Sequence, residues 1–125
     1  MREKAPKDLP AAVAKGMRLF NRRRYLSAQQ MWEASWREAP AEDRAFLEAL
    51  VQLAAALHLR TRRGATRGAE HLLAQALATM EDQRPGRHGV DVDALLADFG
   101  SWHDWLRETR RPHRLLDALR IPRLR

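Results

Sequence analysis

The chain has 125 residues, 45% of them hydrophobic and 31% charged, and no cysteine. One domain of that size buries about two-thirds of its unfolded surface, so it needs no disulfide or metal staple, and thiolate catalysis, Cys-based zinc sites and iron–sulfur chemistry are excluded. Twenty-three basic residues, 20 of them Arg, against 16 acidic ones give a net charge of +7, which suits an anionic partner.

The β-branched residues number nine, against 21 Ala and 18 Leu. Sheets favour the first group and helices the second, so the composition is all-α. The apolar run Ala49 to Leu59 is interrupted by Gln52 and His58 and is far short of a ~20-residue membrane span. Met1 to Asp8 is charged, without the apolar stretch of a signal peptide. A cytoplasmic protein with no membrane partner is the expectation.

Residues 1–7 read as a flexible N-terminus, residues 8–120 as one helical domain, and residues 121–125 as a C-terminal tail. A first helix can start at Asp8, with Pro10 tolerated in its opening turn; Val13, Met17 and Phe20 recur at helical spacing, and Arg22 to Arg24 form a turn. A second helix carries Tyr25, Gln29, Trp32 and Trp36 on one face and ends before Pro40. From about Glu42 to Arg60, Phe46, Leu47, Leu50, Val51, Leu53, Ala54 and Leu57 form an apolar face wide enough to demand neighbours on two sides. Gly64 suits a helix C-cap, and a fourth helix spans about Thr66 to Asp82, ended by Arg84-Pro85-Gly86. Asp91 or Asp93 can cap a fifth helix bearing Leu95, Leu96, Phe99, Trp102 and Leu106, with a restart at Gly100 left open. Pro112 ends it, and His113 to Arg120 has room for a short helix. The result is five to six helices: two antiparallel hairpins and a covering C-terminal helix.

Leu19-Phe20-Asn21, Tyr25, Ala28, Trp32-Glu33 and Trp36, then Phe46-Leu47, the run Leu50 to His58 and Arg67-Gly68-Ala69 resemble the family known as domain of unknown function 309. The resemblance covers about residues 16–82 and implies a small all-helical domain, its hairpins packed somewhat like tetratricopeptide repeats, with no established activity. Members of that family usually carry His-Glu where this chain has Gln29-Gln30, and the usual glycine of the first turn is replaced by arginine within Arg22 to Arg24. An amide transfers no proton near neutral pH and is a poor ligand for most transition metals, so acid–base or metal chemistry of that pair does not carry over.

Gln29, Glu33, Gln52 and His58 could converge between the second and third helices, either as a ligand pocket with Glu33 as its ionisable group or as a hydrogen-bond network that fixes the packing. No two of the five histidines stand at i, i+3 or i, i+4, so no helical metal site and no cofactor are expected. If the helices alternate up and down, one end collects Arg22, Arg23, Arg24, Arg60, Arg62, Arg63, Arg67, Arg107, Arg110, Arg111 and Arg114, while the other receives seven acids, Glu38, Glu42, Asp43, Glu81, Asp82, Asp91 and Asp93, with four arginines among them. Helix termini account for part of this, since cations favour C-termini, but they do not call for eleven arginines. The expected function is therefore a non-enzymatic interaction module that holds an anionic or acidic partner at its arginine-rich end. A non-specific nucleic-acid binder, and an enzyme of unknown reaction with a pocket at Glu33, Gln52 and His58, are the alternatives. Pairing with a second copy through an uncovered apolar face stays open.

Overall fold

The computed structural model describes residues 8–63, 67–109 and 121–125. Five α-helices dominate it: α1 (Asp8–Asn21), α2 (Tyr25–Glu38), α3 (Ala41–His58), α4 (Arg67–Met80) and α5 (Val92–Thr109). The fold is all-α, as the Ala- and Leu-rich composition requires. Helices α1, α2, α3 and α4 pack in chain order, each against the next, and α5 lies mainly on α4. With α2 and α4 both against it, α3 has the two neighbours its apolar girth demands, and nine of its residues are buried. Among the described residues no helix is long and apolar enough to cross a membrane.

Local chemistry sets the boundaries. At the end of α1 the Arg24 N–H donates to Leu19 O (2.9 Å) and the Arg23 N–H to Phe20 O (2.8 Å), while Arg23 takes φ +65°. This is the Schellman termination, with a left-handed residue just past the helix. Helix α2 stops because Ala39 is extended (ψ 151°) before Pro40, as the pre-proline restriction predicts. The Asp91 carboxylate caps α5 by accepting the Ala94 N–H at 2.9 Å. Helix α5 continues unbroken through Gly100, where a Cβ would meet nothing within 4 Å, so the restart left open there is not taken. The π-type turn Leu59–Arg63 follows α3, and the 3₁₀ turn Glu81–Gln83 follows α4.

Two features were not expected. Between the 3₁₀ turn and α5 the chain forms a minimal hairpin, β1 (Gly86–Arg87) and β2 (Val90–Asp91), with Gly86 opposite Asp91 and Arg87 opposite Val90. Its turn residues His88 (φ +47°) and Gly89 (φ +83°) both lie at positive φ, as a type I′ turn requires. The segment read as a tail also returns to the domain. Leu124 is buried; its N–H donates to Asn21 Oδ1 (2.8 Å) and its carbonyl accepts from Asn21 Nδ2 (2.9 Å). Arg125 O accepts the Asp91 N–H (2.8 Å), and the Arg125 guanidinium pairs with Asp98. A single asparagine thus satisfies both backbone groups of a buried leucine, which the leucine's burial makes necessary. Gly64 and the helix expected over His113 to Arg120 lie outside the described residues.

The core is one cluster with Phe20 near its centre. Phe20 meets Tyr25 edge-on at 4.9 Å and Phe99 at 5.8 Å, with Trp32 at 6.2 Å. Trp32 is fully buried and Trp102 nearly so, whereas Trp36 and Trp105 are only partly covered.

Candidate functional site

The α1–α2 turn and the C-terminal end of α3 face each other across an open cleft of about 580 Å³, lined by Arg22, Arg23, Arg24, Tyr25, Leu26, Ser27, His58 and Arg62. One wall is the arginine turn and first turn of α2. The other is the last residue of α3 and the π-type turn after it. Among the described residues no carboxylate lines the cleft. The Tyr25 phenol is pushed up to about 12 by burial, against the opposing pull of the Arg23 charge, and so remains a neutral hydroxyl at physiological pH.

Charge pairing separates this cleft from the basic positions around the hairpin and the C-terminus. Arg84 pairs with Glu81 and Asp93, Arg87 with Asp43, and Arg125 with Asp98. Among the described residues Arg22, Arg23, Arg24 and Arg62 make no ion pair. Four unpaired guanidinium groups around one concavity repel one another, and only solvent, salt or a bound anion relieves that repulsion. The α2 N-terminus adds to the positive potential. Its N-cap, Arg24, provides no side-chain acceptor, and no acid stands in its first turn, where a carboxylate would ordinarily be favoured.

Backbone strain points to the same turn. The left-handed conformation of Arg23 costs a residue with a Cβ roughly 1 kcal/mol that glycine would not incur. Such outliers cluster at functional sites.

Of the residues singled out from the sequence, Arg22, Arg23, Arg24, Arg62 and His58 share this cleft. Arg63, Arg67 and Arg107 are exposed, and Arg110, Arg111 and Arg114 lie outside the described residues. Arg60 is buried, at 3% exposure. Two positions apart on a helical turn point nearly opposite ways, so Arg60 turns inward where Arg62 turns out. Gln29, Glu33 and Gln52 are half-buried; among the described residues no hydrogen bond joins any two of these three and His58. No group of three or more His, Asp or Glu suited to a metal ion occurs among the described residues.

A second polar constellation, not anticipated from the sequence, stands at the start of α3. The Asp43 carboxylate is 4% exposed, and its Oδ1 accepts from Arg87 Nε (2.9 Å), Arg87 Nη2 and His88 Nε2 (2.8 Å). Arg87 also donates to Glu42 O at 3.2 Å. Burial pushes the Asp43 carboxyl up, but the hydrogen bonds and charges of His88 and Arg87 outweigh it and hold the group below the ordinary carboxylate range. With the carboxylate ionised, the His88 proton must sit on Nε2. The cluster pins the β1–β2 hairpin to α3, and its partners lie 44 and 45 positions apart in sequence.

Fold and cleft together define a small all-helical protein with a cation-lined recess between two of its helix ends. The model of one family, domain of unknown function (DUF309), matches residues 13–72, just under half of the chain; the chain resembles that family over this stretch, which contains the described residues that line the cleft. No curated protein and no solved structure matches the chain significantly.

Proposed function

We propose that the protein is a non-enzymatic interaction module, its hairpins stacked in a tetratricopeptide-like way, that holds an anionic partner in the cleft between the α1–α2 turn and the end of α3. The observation that carries this reading is the set of four guanidinium groups around one concavity with no carboxylate among its described lining residues. Around the hairpin and the C-terminus, by contrast, Arg84, Arg87 and Arg125 have acidic partners; what sets the recess apart is that four arginines without such partners face one concavity. Arginine forks suit carboxylate and phosphate oxygens alike.

The test is fluorescence anisotropy with labelled polyglutamate at low and moderate salt. Binding is expected at low salt and weakens steeply as salt rises, because exposed charges are screened within about 10 Å at 0.1 M. Replacing Arg22, Arg24 and Arg62 together by Ser lowers affinity roughly tenfold, at about 0.5 kcal/mol per exposed contact. A parallel titration with RNA and DNA of matched charge separates the nucleic-acid alternative. No binding of any polyanion at low salt sinks the reading.

Arg23→Gly gives a sharper version of the same test. Glycine adopts φ +65° without strain, so this variant should be more stable by roughly 1 kcal/mol in urea denaturation yet bind polyglutamate more weakly. Stability and binding then move in opposite directions, whereas an arginine of no functional consequence would change stability alone.

A further inference from the structure

We infer that the occupant of the cleft is an acidic peptide segment of a partner protein that presents an apolar side chain beside its carboxylates, with Leu26 as the apolar contact. The inference rests on the proposed anion-holding role and adds the chemistry of the ligand. Leu26 is 43% exposed and is the one large hydrophobic side chain left open among the described residues. It stands on the first turn of α2, inside the lining of the same recess as the unpaired arginines. A lone exposed leucine is ordinary on a protein surface; one on the wall of a cationic cleft gives that wall an apolar spot that polyanions of phosphate and sugar do not use. A recess of about 580 Å³ falls in the range that accepts a few side chains.

The cleft also offers little of the open aromatic surface on which a single-stranded nucleic acid stacks its bases. Of the two rings in this lining, Tyr25 is 4% exposed and packed edge-on against Phe20, and His58 is half-buried. Carboxylates of a peptide, by contrast, can take the forked donors of Arg22, Arg24 and Arg62 while a neighbouring leucine or isoleucine lies on Leu26.

The experiment titrates three labelled probes against the wild-type protein and Leu26→Ser: a short peptide of alternating glutamate and leucine, the same peptide with serine for leucine, and a single-stranded oligonucleotide of equal charge. On wild type the leucine peptide should bind about five- to tenfold more tightly than the serine peptide, the scale of a partly buried leucine contact. Leu26→Ser should abolish that difference, the affinity of the leucine peptide falling to that of the serine peptide. Because Leu26 lies outside the core, the helical circular dichroism of the variant should match wild type. Equal affinity for the two peptides on wild type, or a preference that survives Leu26→Ser, overturns the inference. So does tighter binding of the oligonucleotide than of the leucine peptide, which would assign the cleft to nucleic acid. If neither peptide binds at low salt, it is the anion-holding role itself that fails.

Discussion

Gly16→Ala should destabilise the protein by about 2–3 kcal/mol, the scale of an overpacked core, although the same change in an ordinary helix interior would stabilise it by about 0.5–1 kcal/mol. The reversal of sign comes from a single contact. A Cβ on Gly16 would stand 2.2 Å from Trp32 Nε1, 2.4 Å from Cε2 and 2.9 Å from Cδ1. The indole has nowhere to go: Trp32 is fully buried, is flanked by Phe20, and directs its N–H at Val13 O at 3.4 Å. Either α1 must lift away from α2 or the indole must leave its place, and both loosen the centre of the core. Urea denaturation midpoints measure the cost. The cause is isolated by repeating the substitution in a Trp32→Phe background, where the smaller ring makes room. There Gly16→Ala should be near neutral, and the non-additivity reports the clash itself. If Gly16→Ala raises the midpoint of the wild-type protein, the close approach of α1 to α2 is not as described.

That contact also marks where the sequence stops being legible. Helices α1 to α5 could be read because periodic apolar residues, Pro40 and the capping Asp91 act within a few positions of each other. The arginine cleft was half legible: Arg22 to Arg24 and Arg62 sit in turns that alternating helices bring to one end. The inward course of Arg60 depends instead on the exact phase of a π-type turn. The grouping of Gln29, Glu33, Gln52 and His58 shows the same limit. Gln29 and Glu33 share a face of α2, but Gln52 and His58 are six positions apart, about 240° around a helix, so His58 reaches the arginines. Strands of two residues are too short to show alternation, so the hairpin left no pattern to find. The role of Gly16 left none either, since a glycine within a helix looks like a mere loss of propensity until the ring across from it is known. The docking of Leu124 on Asn21 spans 103 positions, and no local rule pairs an asparagine amide with so distant a backbone.

The Asp43 cluster is long-range in the same way, and its loss should be the most costly change at the opposite side of α3. Asp43→Ala should destabilise the protein by about 2–4 kcal/mol: it removes a buried acceptor and strands the two side chains, Arg87 and His88, that donate to it. The figure stays below that of a fully buried pair, because the Arg87 side chain is 34% exposed and water can take over part of its bonding. The pH dependence gives a signature that mere loss of packing would not. In the folded protein the Asp43 carboxyl is held below its ordinary value of 3.8 by His88 and Arg87, in spite of burial. A carboxyl depressed by folding contributes stability that is fully present above the unfolded value and is lost as pH falls through the folded one. Wild type should therefore lose stability on acidification below about pH 4, and Asp43→Ala should lose less over that interval, so that the gap between the two narrows as pH falls. Asp43→Asn keeps the shape and an acceptor oxygen without the charge, so it should fall between the two in stability near neutral pH and follow Asp43→Ala in its flatter acid profile. Hydrogen exchange locates the damage. The Val92 N–H, which donates to Pro85 O at 3.0 Å, and the Asp91 N–H, held by Arg125 O, should exchange faster in both variants, because the hairpin that positions them is no longer pinned to α3. Parallel acid profiles for wild type and Asp43→Ala, with unchanged exchange at these two amides, would mean that the carboxylate carries no part of the link between the hairpin and the helical core.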